Sequence, residues 1–352
     1  SNDSTAYGVE NALAASYTGA YPVITGQDCD VANTINMQKG LQSMSVFKDT
    51  RTLAAKVVEM VDAIMKGSEP PVNDTETYDN GTGVIPSFLC EPVACTPDMI
   101  QELLIDSGYY TAEQLGLDAA AEAAVEEVAG NLVGVAMPTK DLQRWIQDGE
   151  NMKAQLEAAG YEVDLQYAAN DIQTQVSQIE NMIANGCTVL VIASIDGEAL
   201  GTVLAQAKEA GIPVIAYDRL IMNSDAVSYY ATFDNWDVGV KQGTYIAEAL
   251  DLANAGDKTY NIEFITGDPG DNNINFFFDG AISVLQPYLD AGTLVCPSGQ
   301  VDKMDVATAN WATDAAQARF ETILGSYYAD GTQLDAVLCS NDSTALGVEN
   351  AL

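Results

Sequence analysis

The first thirteen residues of this chain occur twice. Ser1–Leu13 reads SNDSTAYGVENAL and Ser340–Leu352 reads SNDSTALGVENAL, the copies differing only at Tyr7 and Leu346. Repeats that build a solenoid recur at the period of a structural unit and drift in sequence. Near-identity confined to two distant segments reads instead as a cut and rejoining, a chain opened inside one element with a copy of it on each side of the cut. A natural gene with a duplicated terminus is the alternative. The flanks favour the first reading. Leu334–Cys339 (LDAVLC) is an apolar run of strand length that leads into the second copy. Ala14–Asp28 (AASYTGAYPVITGQD) completes a helix, turns at Thr18-Gly19 and forms a strand after the first. The order is therefore read as circularly permuted, its original start near Asn131 and its original end near Leu117. Asp118–Gly130, rich in Ala and Glu, bridges them as a linker or a retained tether. Only one copy can fill a single strand–helix slot, so the other is expected to fray, pack outside or insert into a neighbouring molecule by domain swapping.

Read from Asn131, apolar strands alternate with amphipathic helices. LVGVAM (Leu132–Met137) precedes a helix over 141–159, Tyr161–Ala168 precedes one over 171–184, and CTVLVIA precedes one over 198–210. IPVIAY and Tyr229–Asp234 lead to a helix over 238–255, NIEFIT to one over 275–291, and Thr293–Cys296 to one over 309–328. After LDAVLC and the repeat, Pro22–Thr25, a helix over 31–41, Met44–Phe47 and a helix over 53–66 continue the rhythm. Such alternation argues α/β, with parallel sheets covered by helices on both faces. The number of units exceeds one sheet, so the chain is read as two doubly wound parallel-sheet lobes joined by a hinge. Residues 131–234 with 29–75 are assigned to one lobe, and 235–352 with 1–28 and 84–117 to the other, 118–130 being the linker. Crossings are placed near Thr232–Asn235, Gln27–Asp30 and Asn73–Gly83.

Composition narrows the function. The net charge is −37, from 14 basic and 51 acidic residues, with no histidine. So few cations cannot neutralise a row of phosphates, which excludes nucleic acid as a partner. The usual general base and commonest metal ligand is missing, and no calcium-loop spacing is present, so neither metal nor cofactor is assigned. No apolar run reaches the roughly 18 residues of a membrane span, and no signal-peptide pattern stands at residue 1. Cys90 and Cys95 (CEPVAC) could bridge if the backbone turns between them.

In open α/β sheets a ligand lies beyond the carboxyl ends of the strands. The residues that follow the strands here are Lys140, Asp141, Arg144 and Trp145; Asp218 and Arg219; Asp268, Asp271, Asn272 and Asn273; Asn341 and Asp342, or Asn2 and Asp3; Gln27 and Asp28; Lys48 and Asp49. Planar, bidentate Asp, Asn and Arg groups suit vicinal hydroxyls, which both donate and accept. Trp145 and Trp311 offer flat faces for the C–H surface of a pyranose. Singly, each has a plainer reading: an Asn or Asp after a strand as a helix N-cap, Arg144 and Arg219 as surface ion pairs, Trp145 and the Phe276–Phe278 triplet as core.

The segments VGVAMPTKDLQRW, SQIENMI, VLVIASIDG, VIAYDRLI, GDPGDNNINFFFDGA, SNDSTALG, VITGQDCD, VFKDT and VNDTETYDNG resemble the periplasmic monosaccharide-binding proteins of ABC import systems, in their xylose and multiple-sugar branch. The resemblance implies a two-lobed, type I periplasmic-binding-protein clamp that is not an enzyme and sits outside the cytoplasm, in the periplasm or lipid-anchored at the cell surface. It implies an aldose ligand, such as xylose, glucose, galactose or arabinose, and a transporter permease as partner. Arg144, Arg219, Asn273, Asn341 or its twin Asn2, Asp28 and Lys48 would bond hydroxyls; Trp145 and Trp311 would sandwich the ring; Asp271 and Lys140 are of second rank. The rotated order and doubled segment depart from the family and suit a permuted switch or sensor scaffold. A sugar-responsive regulator core without its DNA-binding headpiece is the alternative.

Overall fold

The computed structural model describes residues 22–116 and 132–352, so Ser1–Leu13 (with Asn2) and Asp118–Gly130 lie outside the described residues. The strands are β1 Val23–Gln27, β2 Met44–Phe47, β3 Ser87–Cys90, β4 Val93–Cys95, β5 Leu132–Met137, β6 Glu162–Tyr167, β7 Val189–Ile192, β8 Val214–Tyr217, β9 Val227–Phe233, β10 Tyr260–Ile265, β11 Leu294–Val295 and β12 Ala336–Cys339. The helices are α1 Val31–Lys39, α2 Thr50–Lys66, α3 Gln143–Ala158, α4 Ile172–Ala184, α5 Gly201–Glu209, α6 Asn235–Ala249, α7 Asn273–Asp290, α8 Thr313–Ile323 and α9 Asp342–Ala351.

The described residues form two six-stranded sheets. The first lobe has the order β3-β9-β8-β7-β5-β6 and is parallel throughout. The second has the order β11-β10-β12-β1-β2-β4, with only β4 antiparallel to its neighbour. Strands such as VLVI and VIAY are buried along their whole length, as a sheet covered on both faces requires. Alternation divides the side chains between the faces: Val133, Val135 and Met137 of β5 enter one core with α2 and α3, while Ala136 enters the other with Ile179 and Leu204. In the second lobe Val337 and Cys339 face one core and Ala336 and Leu338 the opposite one.

The lobe boundaries differ from those read in the sequence. Thr25 pairs with Met44 and Gln27 with Val46, so the chain stays in the second lobe past Gln27–Asp30 and leaves it only after β2. Helix α2 then packs in the first lobe through Leu53, Val57 and Met60. Ser87–Cys90 pairs with β9 while Val93–Cys95 pairs with β2, which puts the next crossing at Glu91–Pro92 instead of Asn73–Gly83. Hydrophobic alternation identifies a strand but not the sheet it joins, because both lobes are built of equivalent units. Cys90 and Cys95 close strands of different sheets and carry free thiols. The third crossing follows β9, at Asp234, whose side chain caps α6 by accepting from Asp237 N.

Ser340–Leu352 occupies the strand–helix slot in the second lobe. Asn341 caps α9 by a capping box with Thr344, and Ala345, Val348 and Leu352 enter the core beside Ile24 and Val337. No helix among the described residues is long and apolar enough to cross a membrane.

Candidate functional site

The carboxyl ends of both sheets face one another across a tight cleft lined from both lobes. The first lobe contributes Leu142, Arg144 and Trp145 from the start of α3 and Asp218 and Arg219 from the end of β8. From the second come Gln27 and Asp28 at the end of β1, Lys48 after β2, Asp271, Asn273 and Phe277 around the start of α7, Trp311, and Asn341. Side chains from both lobes nearly fill it, leaving about 20 Å³ of free space.

Six of these residues, Asp28, Lys48, Arg144, Asp218, Arg219 and Asp271, are charged and buried, and they pair within and across the lobes. Arg144 approaches Asp28 at 3.3 Å, Asp218 at 2.9 Å and Asp148 at 2.9 Å. Lys48 lies 3.4 Å from both Asp28 and Asp218, and Arg219 lies 3.0 Å from Asp271. Asn273 donates to the Asp218 carbonyl at 2.9 Å and receives a bond from Asn235 at 3.0 Å. Four carboxyl groups therefore face three cations. Burial raises the pKa of Asp218, yet Arg144, Lys48 and Arg219 outweigh it and hold the group at about 2. Burial wins over Arg144 at Asp148 and over Arg219 at Asp271, so both are raised. The site can offer strong acceptors and strong donors side by side without a large net charge, which suits a neutral polyol more than an ion.

The tryptophans bound this polar centre. Arg144 and Arg219 lie over the Trp145 ring at 4.5 and 5.0 Å from its centroid, within the range of cation–π attraction. Trp311 packs edge-on against Phe277 at 6.0 Å and donates Nε1–H to Asp271 at 3.2 Å. Gly267, just after β10, makes room for it: a Cβ there would overlap the indole. Buried Trp145 Nε1 and Gln27 Oε1 have no protein hydrogen-bond partner, and unpaired polar atoms of this kind are costly unless something else satisfies them. Asp28, Asp218 and Trp311 have φ of 99°, 59° and 57°. Such backbone, about 1–3 kcal/mol above relaxed geometry, persists where the surroundings dictate it and gathers at functional sites.

The structure brings Arg144, Trp145, Arg219, Asp271, Asn273, Trp311, Asn341, Asp28 and Lys48 together in this cleft. Asn2 lies outside the described residues. Lys140 is not among the cleft residues: it is exposed, with Nζ 4.6 Å from the Tyr167 ring centroid. Two plain readings coexist with cleft positions, since Asn341 is also a helix cap and Trp145 also belongs to the first-lobe core. Arg144 and Arg219 pair in the interior and not at the surface. Sequence reasoning missed Asp148, which is fully buried and accepts from Arg144 Nε at 2.9 Å and from the Tyr217 hydroxyl. Its i,i+4 spacing from Arg144 was the available signal. Phe277, read as core, and Leu142 line the cleft as well.

Two parallel-sheet lobes closing on a buried polar cleft define a solute-binding clamp. Residues 133–352 match the periplasmic binding protein domain, and the chain belongs to that family. It is 52% identical over 220 residues to the multiple sugar-binding periplasmic protein SbpA of Azospirillum brasilense, covering 62% of this chain and 61% of that protein. To the multiple sugar-binding periplasmic receptor ChvE of Rhizobium radiobacter it is 53% identical, with 62% of each covered. The chain thus spans about three fifths of the length of these curated relatives. An ABC transporter solute-binding protein from Clostridium phytofermentans, solved with bound β-D-glucose, is 71% identical. It covers 63% of this chain and 68% of that one, at a TM-score of 0.62.

Proposed function

We propose that this protein binds a monosaccharide between its lobes, without chemically changing it, as the extracytoplasmic solute receptor of an ABC importer. The observation that carries the reading is the alternation of buried acceptors and donors in the cleft, Asp28, Asp218 and Asp271 against Lys48, Arg144 and Arg219, bounded by Trp145 and Trp311. A pyranose hydroxyl donates one bond and accepts two, so a ring of hydroxyls can replace cross-lobe ion pairs one for one. Leaving a buried partner unpaired costs roughly 1–3 kcal/mol, which makes the cleft sensitive to hydroxyl geometry. Arg144, Arg219, Asn273, Asn341, Asp28 and Lys48 hold hydroxyls, the tryptophans cover the ring, and Asp271 sets Arg219 and Trp311. The sugar-binding names of the relatives and the glucose in the Clostridium phytofermentans structure support an aldose.

The order of segments is, on this reading, a rotation of the family's. Residues 22–116 lie outside the matched stretch and yet supply β1, β2 and β4 to one sheet and β3 and α2 to the other lobe. Calorimetric titration with D-xylose, D-glucose, D-galactose and L-arabinose is the test. Saturable binding of at least one at a single site is expected, with no product released from a disaccharide. No heat with any monosaccharide, or turnover of the disaccharide, contradicts the proposal.

A further inference from the structure

The slot filled by Ser340–Leu352 makes stringent demands, and the other copy meets each of them. Asp342 accepts from Asp30 N at 2.9 Å and from Ser45 Oγ at 2.7 Å, and its carbonyl accepts from Asn33 at 2.8 Å. Glu349, fully buried, accepts from Asn36. Gly347 packs so closely on α8 that a Cβ would overlap the Thr313 carbonyl. Every buried position of the segment, 340–345, 347–349 and 352, carries the same residue in Ser1–Leu13. The single difference, Tyr7 for Leu346, falls at a half-buried position where a longer side chain can extend towards solvent.

The chain can also deliver the first copy to this place. Leu352, at the end of α9, shares a core with Ile24 of β1. Nine residues, Ala14–Pro22, separate Leu13 from β1, enough chain for about 30 Å. The β12–α9–β1 neighbourhood is therefore one that a segment joined to β1 can enter as readily as one joined to β12.

We propose that the slot is a binding site for Ser1–Leu13 of the same chain, and that the two copies exchange in it. Each presents the same asparagine, Asn2 or Asn341, at the edge of the cleft. A ligand with equal affinity for two states shifts neither, so a cleft ligand leaves the exchange unbiased unless one asparagine is altered. The inference does not depend on what the cleft binds.

The test compares Gly347→Val, Gly8→Val and the double variant by thermal melting, with hydrogen exchange read by mass spectrometry on peptides 1–13 and 340–352. Each single variant is expected to stay folded and monomeric, melting within a few degrees of the parent. Amide protection is expected in peptide 1–13 for Gly347→Val and in peptide 340–352 for Gly8→Val. The double variant, with no acceptable filler, loses the second lobe's cooperative melting. A Gly347→Val protein that unfolds like the double variant overturns the proposal. So does one that stays folded while peptide 1–13 exchanges at the rate of a free peptide. A dimer formed by Gly347→Val alone overturns the same-chain assignment.

Discussion

Two groups of buried carboxyls lie close together in the second lobe and its cleft, and they differ in how far cations offset burial. In the cleft, Asp218 is held at about 2 because three cations overcome its burial, while Asp148 and Asp271, with burial opposed chiefly by one cation each, are raised. In the slot behind it, burial dominates. Asp30 rises to about 7, with Asp28 adding to the rise and Arg144 opposing it; Glu349 rises to about 8 despite the bond from Asn36; and Asp342 rises well above the ordinary carboxylate range, pushed further by Asp30 and Asp28. The same kind of group is held below the ordinary carboxylate range where three cations surround it and pushed above that range in Asp342 and Glu349, where no cation opposes burial. Carboxyls paired with cations can be redirected to a ligand, whereas Asp342 and Glu349, bonded to Ser45, Gln42 and Asn36, serve packing. Cations, and not buried acids as such, mark the functional region.

The strongest way to break this contrast is Arg144→Ala. It strips Asp28, Asp148 and Asp218 of their shared partner, and breaking a buried pair from one side costs about 3–5 kcal/mol. Chemical denaturation is expected to show that loss, with sugar binding falling below detection; unchanged stability would mean the cleft carboxylates do not need their cation.

The slot answers to pH instead. A carboxyl whose folded pKa is raised stabilises fully below its unfolded pKa and loses that contribution as pH climbs through the folded value. For Glu349 the window runs from 4.5 to about 8. Stability is expected to fall across it by up to about 1.4 kcal/mol per pH unit for each such group. Glu349→Gln combined with Glu10→Gln, which alters both copies, flattens the slope in melts taken from pH 5 to 8. Asp218 has the opposite sign, its contribution present above about 4 and lost as pH falls towards 2. A double variant as steep as the parent would remove Glu349 from the account.

Asp271→Asn keeps the shape but only one of the two accepted bonds, since its single amide oxygen can take Asn273 N–H or Trp311 Nε1–H and not both, and it removes the charge opposite Arg219. About tenfold weaker sugar binding, near 1.4 kcal/mol, is expected by calorimetry, with stability less affected than in Arg144→Ala. Lys140→Ala sharpens the boundary of the site. Its ammonium lies on Tyr167, outside the cleft, and the affinity is expected to change by less than about twofold, since an exposed cation contributes little.

Much of the cleft could be read in advance, because a parallel sheet places the residues after each strand at one edge. Asp28, Lys48, Arg219 and Asn341 follow β1, β2, β8 and β12. Lys140 obeyed the same rule and failed it, since the loop between β5 and α3 turns its side chain outward while Arg144, a turn later, reaches inward. The expected helix over 309–328 starts only at Thr313, because Asn310 and Trp311 take left-handed backbone at φ of 56° and 57°. That detour carries the indole to the cleft, and no periodicity announces it. Lobe membership was illegible for a related reason: pairing of β2 with β1 and β3 with β9 is a choice between equivalent sheets.

Tryptophan emission during sugar titration tests the central claim most directly. Trp145 and Trp311 line the cleft, whereas Trp236 is 45% exposed and lies elsewhere. A saturable change with at least one monosaccharide in the parent, absent from Trp145→Phe/Trp311→Phe, is the predicted result. No change with any sugar, or an equal change in the double variant, would contradict a monosaccharide held between these two rings.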